Sequence, residues 1–101
     1  MNLSNEELTE ISRMGAAAYT PNQVCFAMGF SKEEFGVQMK NEDSELCAAY
    51  YKGFYSSELV IRESVFQLAR NGSSPAQTLA LKNFDDTRKS IKKDGFTSEE
   101  I

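Results

Sequence analysis

Apolar positions recur at helical spacing along the whole of this chain, and polar punctuation divides them into five segments. Ser4 followed by Glu7 has the form of a capping box, and Leu8, Ile11, Met14 and Ala18 then repeat every three or four residues, which predicts a first helix over 5–18. Thr20-Pro21-Asn22-Gln23 is a second start signal: a Thr cap, Pro at the first helical position and Gln three residues after the cap. The helix it opens is short. Val24, Cys25, Ala27 and Met28 supply its apolar face, and Gly29 stands where a left-handed cap ends it. Ser31 with Glu34 repeats the capping box and opens a third helix over 32–41, with Phe35 and Met39 on one face.

From Ser44 the pattern becomes one long run. Leu46, Cys47, Tyr50, Tyr51, Phe54, Tyr55, Leu59, Ile61, Val65, Phe66, Leu68 and Ala69 keep a helical period up to the stop signal Asn71-Gly72. Such a helix is on the order of 40 Å long, more than a small domain buries along its whole length. Gly53 marks either a close helix crossing or a kink. Ser74-Pro75-Ala76-Gln77 repeats the earlier start, and Leu79, Ala80 and Phe84 give the stripe of a fifth helix ending near 90. No stretch alternates apolar and polar residues between hairpin turns. The expected fold is therefore all-α: a helix-turn-helix three-helix unit over 1–43, a long helix and an α-helical hairpin over 44–91, and a flexible tail over 92–101.

Composition narrows the function. The chain has 101 residues, of which 41% are apolar and 26% charged, the balance of one folded domain rather than of a disordered segment. It contains no histidine, which removes Ser-His-Asp and Cys-His catalysis, His-bearing zinc sites and a histidine pH switch from consideration. No phosphate-binding glycine loop and no cluster of metal-binding acids appears either, so a non-enzymatic role without a cofactor is expected. Cys25 and Cys47 sit in apolar surroundings and form no CxxC pair. They read as buried free thiols of a cytoplasmic protein, a single disulfide being the alternative. The acidic start MNLSNEELTE does not read as a signal peptide, and no run has the length of a membrane span.

Net charge is −4, which opposes binding to a phosphate backbone, but the charge is uneven. Residues 1–43 carry seven acids against Arg13, Lys32 and Lys40. Positive charge concentrates over 82–93, where Lys82, Arg88, Lys89, Lys92 and Lys93 face only Asp85 and Asp86, a pair that reads as a solvated helix face.

The arrangement most suggestive of a function is the pair of short helices around Gly29-Phe30-Ser31. A helix-turn-helix needs a tight turn that holds a positive φ, a buried anchor and a capped second helix whose outer residues reach base edges. Gly29, Phe30 and Ser31 match those needs; Lys32, Glu33, Gln38 and Lys40 fall on the outward positions with Asn41 at the end, and together with the cap Ser31 they are the candidate DNA-contacting residues. Gln and Lys can read adenine and guanine edges, whereas Glu accepts only from cytosine and otherwise repels phosphate. Lys89, Lys92 and Lys93 are the candidates for sequence-independent phosphate contact. The same short-helix pattern also occurs in bundles that bind nothing. The aromatic residues Tyr50, Tyr51, Phe54 and Tyr55 point around the long helix in too many directions for one small unit. Together with Ile61 and Val65 they are expected to line an interface between subunits.

The segment PNQVCFAMGFSKEEFGVQMKNEDSELCAAYYKGF, followed by VIRESVFQLARNGSSPAQTLALKN, resembles the small terminase subunits of tailed bacteriophages and prophages. The resemblance covers roughly residues 8–84. It lies in an ordered set: a helix-turn-helix, a short acidic link into Glu45-Leu46, Ala49-Tyr50 and Gly53, then Ala69, Gly72, Ala76 and Ala80 at a hairpin turn. The resemblance implies a homo-oligomer, assembled as a ring through its central helices. Such a protein binds double-stranded DNA at the packaging-initiation region in the bacterial host and passes it to a terminase large subunit that holds the ATPase and nuclease. It also implies that Thr20–Met28 is the positioning helix and Ser31–Asn41 the recognition helix. This chain departs from the pattern in having Glu33-Glu34 and no Arg on that helix. Two other readings remain open: a helix-turn-helix regulator of a prophage or mobile element, and a protein interaction module that binds no DNA.

Overall fold

A computed structural model describes residues 1–95, and among them every regular element is an α-helix. The helices are α1 (Asn5–Ala16), α2 (Pro21–Met28), α3 (Lys32–Lys40), α4 (Glu45–Arg70) and α5 (Ser74–Lys93). Residues 96–101, the greater part of the expected tail, lie outside the described residues. Lys92 and Lys93 close α5, which runs three residues beyond its expected end.

The chain forms two units, Met1–Val60 and a second from Ile61 onward. The first extends past residue 43 because α4 supplies part of its core. Ile11, Val24 and Leu46 are fully buried, joined by Cys25, Phe35 and Tyr50, with Leu3, Met14, Met28, Phe30, Met39, Ala49 and Phe54 packed around them. Each large side chain buried in this way contributes about 1.5–3 kcal/mol, so without α4 the three short helices would lose a large share of what holds them together. Both cysteines are buried free thiols.

The α1–α4 contact is set by glycine. A Cβ on Gly15 would run into the Tyr50 carbonyl oxygen, and one on Gly53 would collide with the carbonyl of Ser12. Of the two expectations for Gly53, a close crossing is what the structure has.

Local signals fix the ends. Ser4 and Thr20 each make a reciprocal box, with Glu7 and Gln23. The first helix stops at Ala16, two residues short of its expected end, because Ala18 takes φ 65 and the Tyr19 N–H bonds back to the Met14 carbonyl at 3.1 Å. Ser44 is buried and joins two helices. Its Oγ donates to the Gln38 carbonyl at 2.7 Å and accepts from the Cys47 N–H at 3.1 Å, so it closes α3 and caps α4 at once.

In the second unit, Gly72 at φ 98 ends α4, and the Ser73 N–H returns to the Leu68 carbonyl at 3.0 Å. The cap of α5 is Ser73 rather than Ser74, with its Oγ accepting from the Ala76 N–H at 3.3 Å. The Gln77 side chain does not complete a box there, since its amide donates to the Ala69 carbonyl of α4 at 3.0 Å. Ala76 and Ala80 are buried, and the Phe66 and Phe84 rings stack with centroids 5.4 Å apart. No helix among the described residues is long and apolar enough to cross a membrane.

Candidate nucleic-acid interface

The turn between α2 and α3 is closed by backbone hydrogen bonds. Gly29 sits at φ 72, ψ 27, its N–H bonds to the Phe26 carbonyl at 3.2 Å, and the Phe30 N–H reaches the Cys25 carbonyl at 3.1 Å. This is a Schellman ending, in which the positive φ brings the next N–H back over the helix. Phe30 packs on the core, its ring 6.1 Å from that of Phe35, and the Cys25 thiol donates to the Phe30 carbonyl at 3.5 Å. The direction in which α3 leaves the turn is therefore fixed by main chain and core together.

The start of α3 differs from the expected box. Ser31 Oγ accepts from the Glu34 N–H at 3.4 Å, but its hydroxyl donates to the Glu33 carboxylate at 3.1 Å, and Glu34 makes no return bond to the cap. The Glu33 backbone N–H and the Ser31 hydroxyl hold the Glu33 carboxyl below its ordinary value; burial opposes them, and the nearby Lys32 adds a lesser pull downward. An anion is thus built into the first turn, where it complements the helix dipole and occupies ground that a phosphate would otherwise use.

Of the outward residues, Ser31, Lys32, Glu33 and Lys40 are exposed and Gln38 is half-buried. The Gln38 carbonyl is engaged by Ser44, which leaves its side-chain amide as the group that can address a base edge. Sequence reasoning missed two exposed apolar residues on these helices. Phe26 is 91% exposed and Val37 67% exposed. A signal for Phe26 was present: on α2 it lies opposite the Val24–Met28 face that enters the core. Ala27, expected on that apolar face, is exposed as well.

The basic cluster belongs to the second unit. Lys82 bonds Asp86 at 2.8 Å and Lys89 bonds Asp85 at 3.2 Å, so the acidic pair is not merely solvated: it engages two of the cluster's five cations. Hydrogen bonding to Asp86 raises the Lys82 pKa and, in return, lowers that of Asp86. Arg88, Lys92 and Lys93 are exposed.

The residues expected at a subunit interface divide. Tyr50 is only 4% exposed and its hydroxyl donates to the Tyr19 carbonyl, so it belongs to the core and drops out of that set. Phe54 and Val65 are half-buried. Tyr51, Tyr55 and Ile61 are exposed, and the Tyr51 and Tyr55 rings stack with centroids 5.8 Å apart. Those two tyrosines line an open cleft of about 450 Å³ with Met39, Lys40, Glu42, Cys47 and Ala48.

No family model, curated protein or solved structure matches this chain.

Proposed function

We propose that the chain is the DNA-recognition small subunit of a phage or prophage terminase, a non-enzymatic homo-oligomer of the bacterial host's cytoplasm. It binds the packaging-initiation region of double-stranded DNA and assists a separate large subunit. The observation that carries this reading is the α2–Gly29–α3 turn. Two capped short helices meet at a left-handed glycine, with Ser31, Lys32, Gln38 and Lys40 at or near the surface of the second. The ordered resemblance to small terminase subunits supports the assignment to packaging. Lys89, Lys92 and Lys93 supply the positive charge that the acidic first unit lacks.

Binding to duplexes measured across a salt series tests it. Affinity should fall as salt rises. Replacing Lys32 and Gln38 by Ala should relax sequence preference, while replacing Lys89, Lys92 and Lys93 should flatten the dependence by about 0.9 in log–log slope per lost phosphate contact. Absent or salt-independent binding overturns the reading.

A specific observation favours a second reading. The acidic Glu33 at the start of α3, with Phe26 and Val37 exposed on α2 and α3, suits a protein partner better than a phosphate backbone. An interaction module of this kind would bind no duplex at any salt concentration.

A further inference from the structure

A pocket beside the α2–α3 turn carries an aromatic ring that the fold does not use. It measures about 280 Å³ and is lined by Asn22, Cys25, Phe26, Phe30 and Lys32, all of the first unit. Its inner wall is set by the turn itself: Cys25 is buried, its thiol donates to the Phe30 carbonyl, and Phe30 is half-buried against Phe35. Phe26 is the contrary case. At 91% exposed it adds almost nothing to the core, and among the described residues its ring stacks on no other aromatic.

The polar groups of the pocket are unspent as well. Among the described residues the exposed Lys32 makes no ion pair and the exposed Asn22 amide no hydrogen bond. Glu33 does not line the pocket, and its carboxylate accepts from the Ser31 hydroxyl at 3.1 Å. One phenyl face, one cation and one amide that both donates and accepts therefore share a small open space. That set matches a nucleotide whose base has left its stack: the base lies on the phenyl face, Lys32 meets the phosphate, and the Asn22 amide reaches the base edge. A duplex cannot supply this occupant, since its bases present edges and keep their faces on one another. A partner protein's aromatic side chain would use the ring and leave the Lys32 charge without a counterpart. The volume lies just below the ~300–1,000 Å³ of drug-sized ligand sites, which is room for a single base.

We propose that this pocket binds one unpaired nucleotide of a single-stranded nucleic acid, with its base stacked on Phe26 and its phosphate on Lys32. This goes beyond the duplex reading, in which α3 addresses base edges, and it does not depend on that reading. The pocket offers one cation in a unit that is acidic overall, so attraction to the strand is local, and the complex is weak and sensitive to salt.

The chain has no tryptophan, so Phe26→Trp sets a single fluorophore at the site, on a side chain that takes no part in the core. Titrated at low salt with a single-stranded oligodeoxynucleotide, the full-length variant should lose fluorescence saturably as a base stacks on the indole. An abasic strand of the same length should not quench it, and the matching duplex should need about tenfold more material for the same loss. With a labelled strand, Phe26→Ala should weaken binding about fivefold or more relative to the wild type, Phe26→Trp should retain it, and Lys32→Gln should flatten the log–log salt slope by about 0.7. Absent quenching, equal quenching by the abasic strand or the duplex, or a Phe26→Ala variant that binds the strand as the wild type does overturns the proposal. So does an acidic tyrosine-bearing peptide that binds more tightly than the strand, which would assign the pocket to a protein partner. The two nucleic-acid readings fail separately: quenching by the strand without duplex binding counts against the packaging reading alone, and salt-dependent duplex binding without quenching against this one alone.

Discussion

The Tyr50 hydroxyl donates a 2.6 Å hydrogen bond to the carbonyl of Tyr19, a residue 31 positions earlier in the chain. It ties the second turn of α4 to the segment between α1 and α2. Removing the hydroxyl in Tyr50→Phe leaves the carbonyl without this donor and should cost about 1 kcal/mol in urea unfolding.

The same contact sets a pH dependence. Burial of the ring, with a smaller effect of the adjacent Tyr51, pushes the Tyr50 pKa above its ordinary value. A raised folded-state pKa means that the phenol's contribution is fully present below about pH 10, the unfolded value, and is lost as pH rises through the folded one. Stability of the wild type should therefore decline as pH rises from about 10 through the folded value, and Tyr50→Phe should decline less steeply. Equal alkaline slopes for the two proteins would exclude this account.

Ala18 holds a left-handed backbone at φ 65, a conformation that costs a residue with a Cβ about 1–2 kcal/mol. Glycine removes that cost but adds freedom to the unfolded chain. Ala18→Gly should then raise stability by roughly 0.5–1 kcal/mol, measured as a higher urea midpoint at unchanged slope.

Two kinds of glycine should respond in opposite directions. Gly15→Ala and Gly53→Ala place a methyl group into backbone across the α1–α4 crossing and should destabilise the first unit by about 1–3 kcal/mol or more. Gly36, inside α3, has open space around the position of a Cβ. Gly36→Ala should stabilise by about 0.5–1 kcal/mol through helix propensity alone. Thermal unfolding of the three variants side by side separates steric from entropic effects.

Ser44→Ala should cost about 1–2 kcal/mol, since it removes both the cap of α4 and the donor to the Gln38 carbonyl. A loss confined to a few tenths would show that water takes over both groups.

The helices were legible because their ends are written in short-range chemistry. Ser4–Glu7, Thr20–Pro21–Gln23 and Gly29 act within four residues, and the structure uses them as read. What escaped were choices between near-equal local partners and choices made by the tertiary fold. Ser31 bonds Glu33 rather than forming a reciprocal pair with Glu34, and Gln77 leaves its own helix for the Ala69 carbonyl. Ala18 gave no sign of its left-handed backbone, because no residue preference marks an alanine for it. Tyr50 could not be told from Tyr51 and Tyr55 by composition; its hydroxyl's partner lies in a distant turn. Phe26 could have been read as exposed from its place opposite Val24 and Met28, whereas the exposure of Val37 depends on how α3 packs against its neighbours.

Where α1 crosses α4, the atoms that meet Gly15 and Gly53 are main chain, the one component that substitution elsewhere leaves unaltered, joined at Gly53 by the Ser12 hydroxyl. Side chains on the outside of this unit can be exchanged without shifting the frame that presents them. The crossing thus separates what must be kept from what can diverge: two glycines carry the geometry, and Lys32, Glu33, Val37 and Phe26 are left to vary with whatever the surface has to meet.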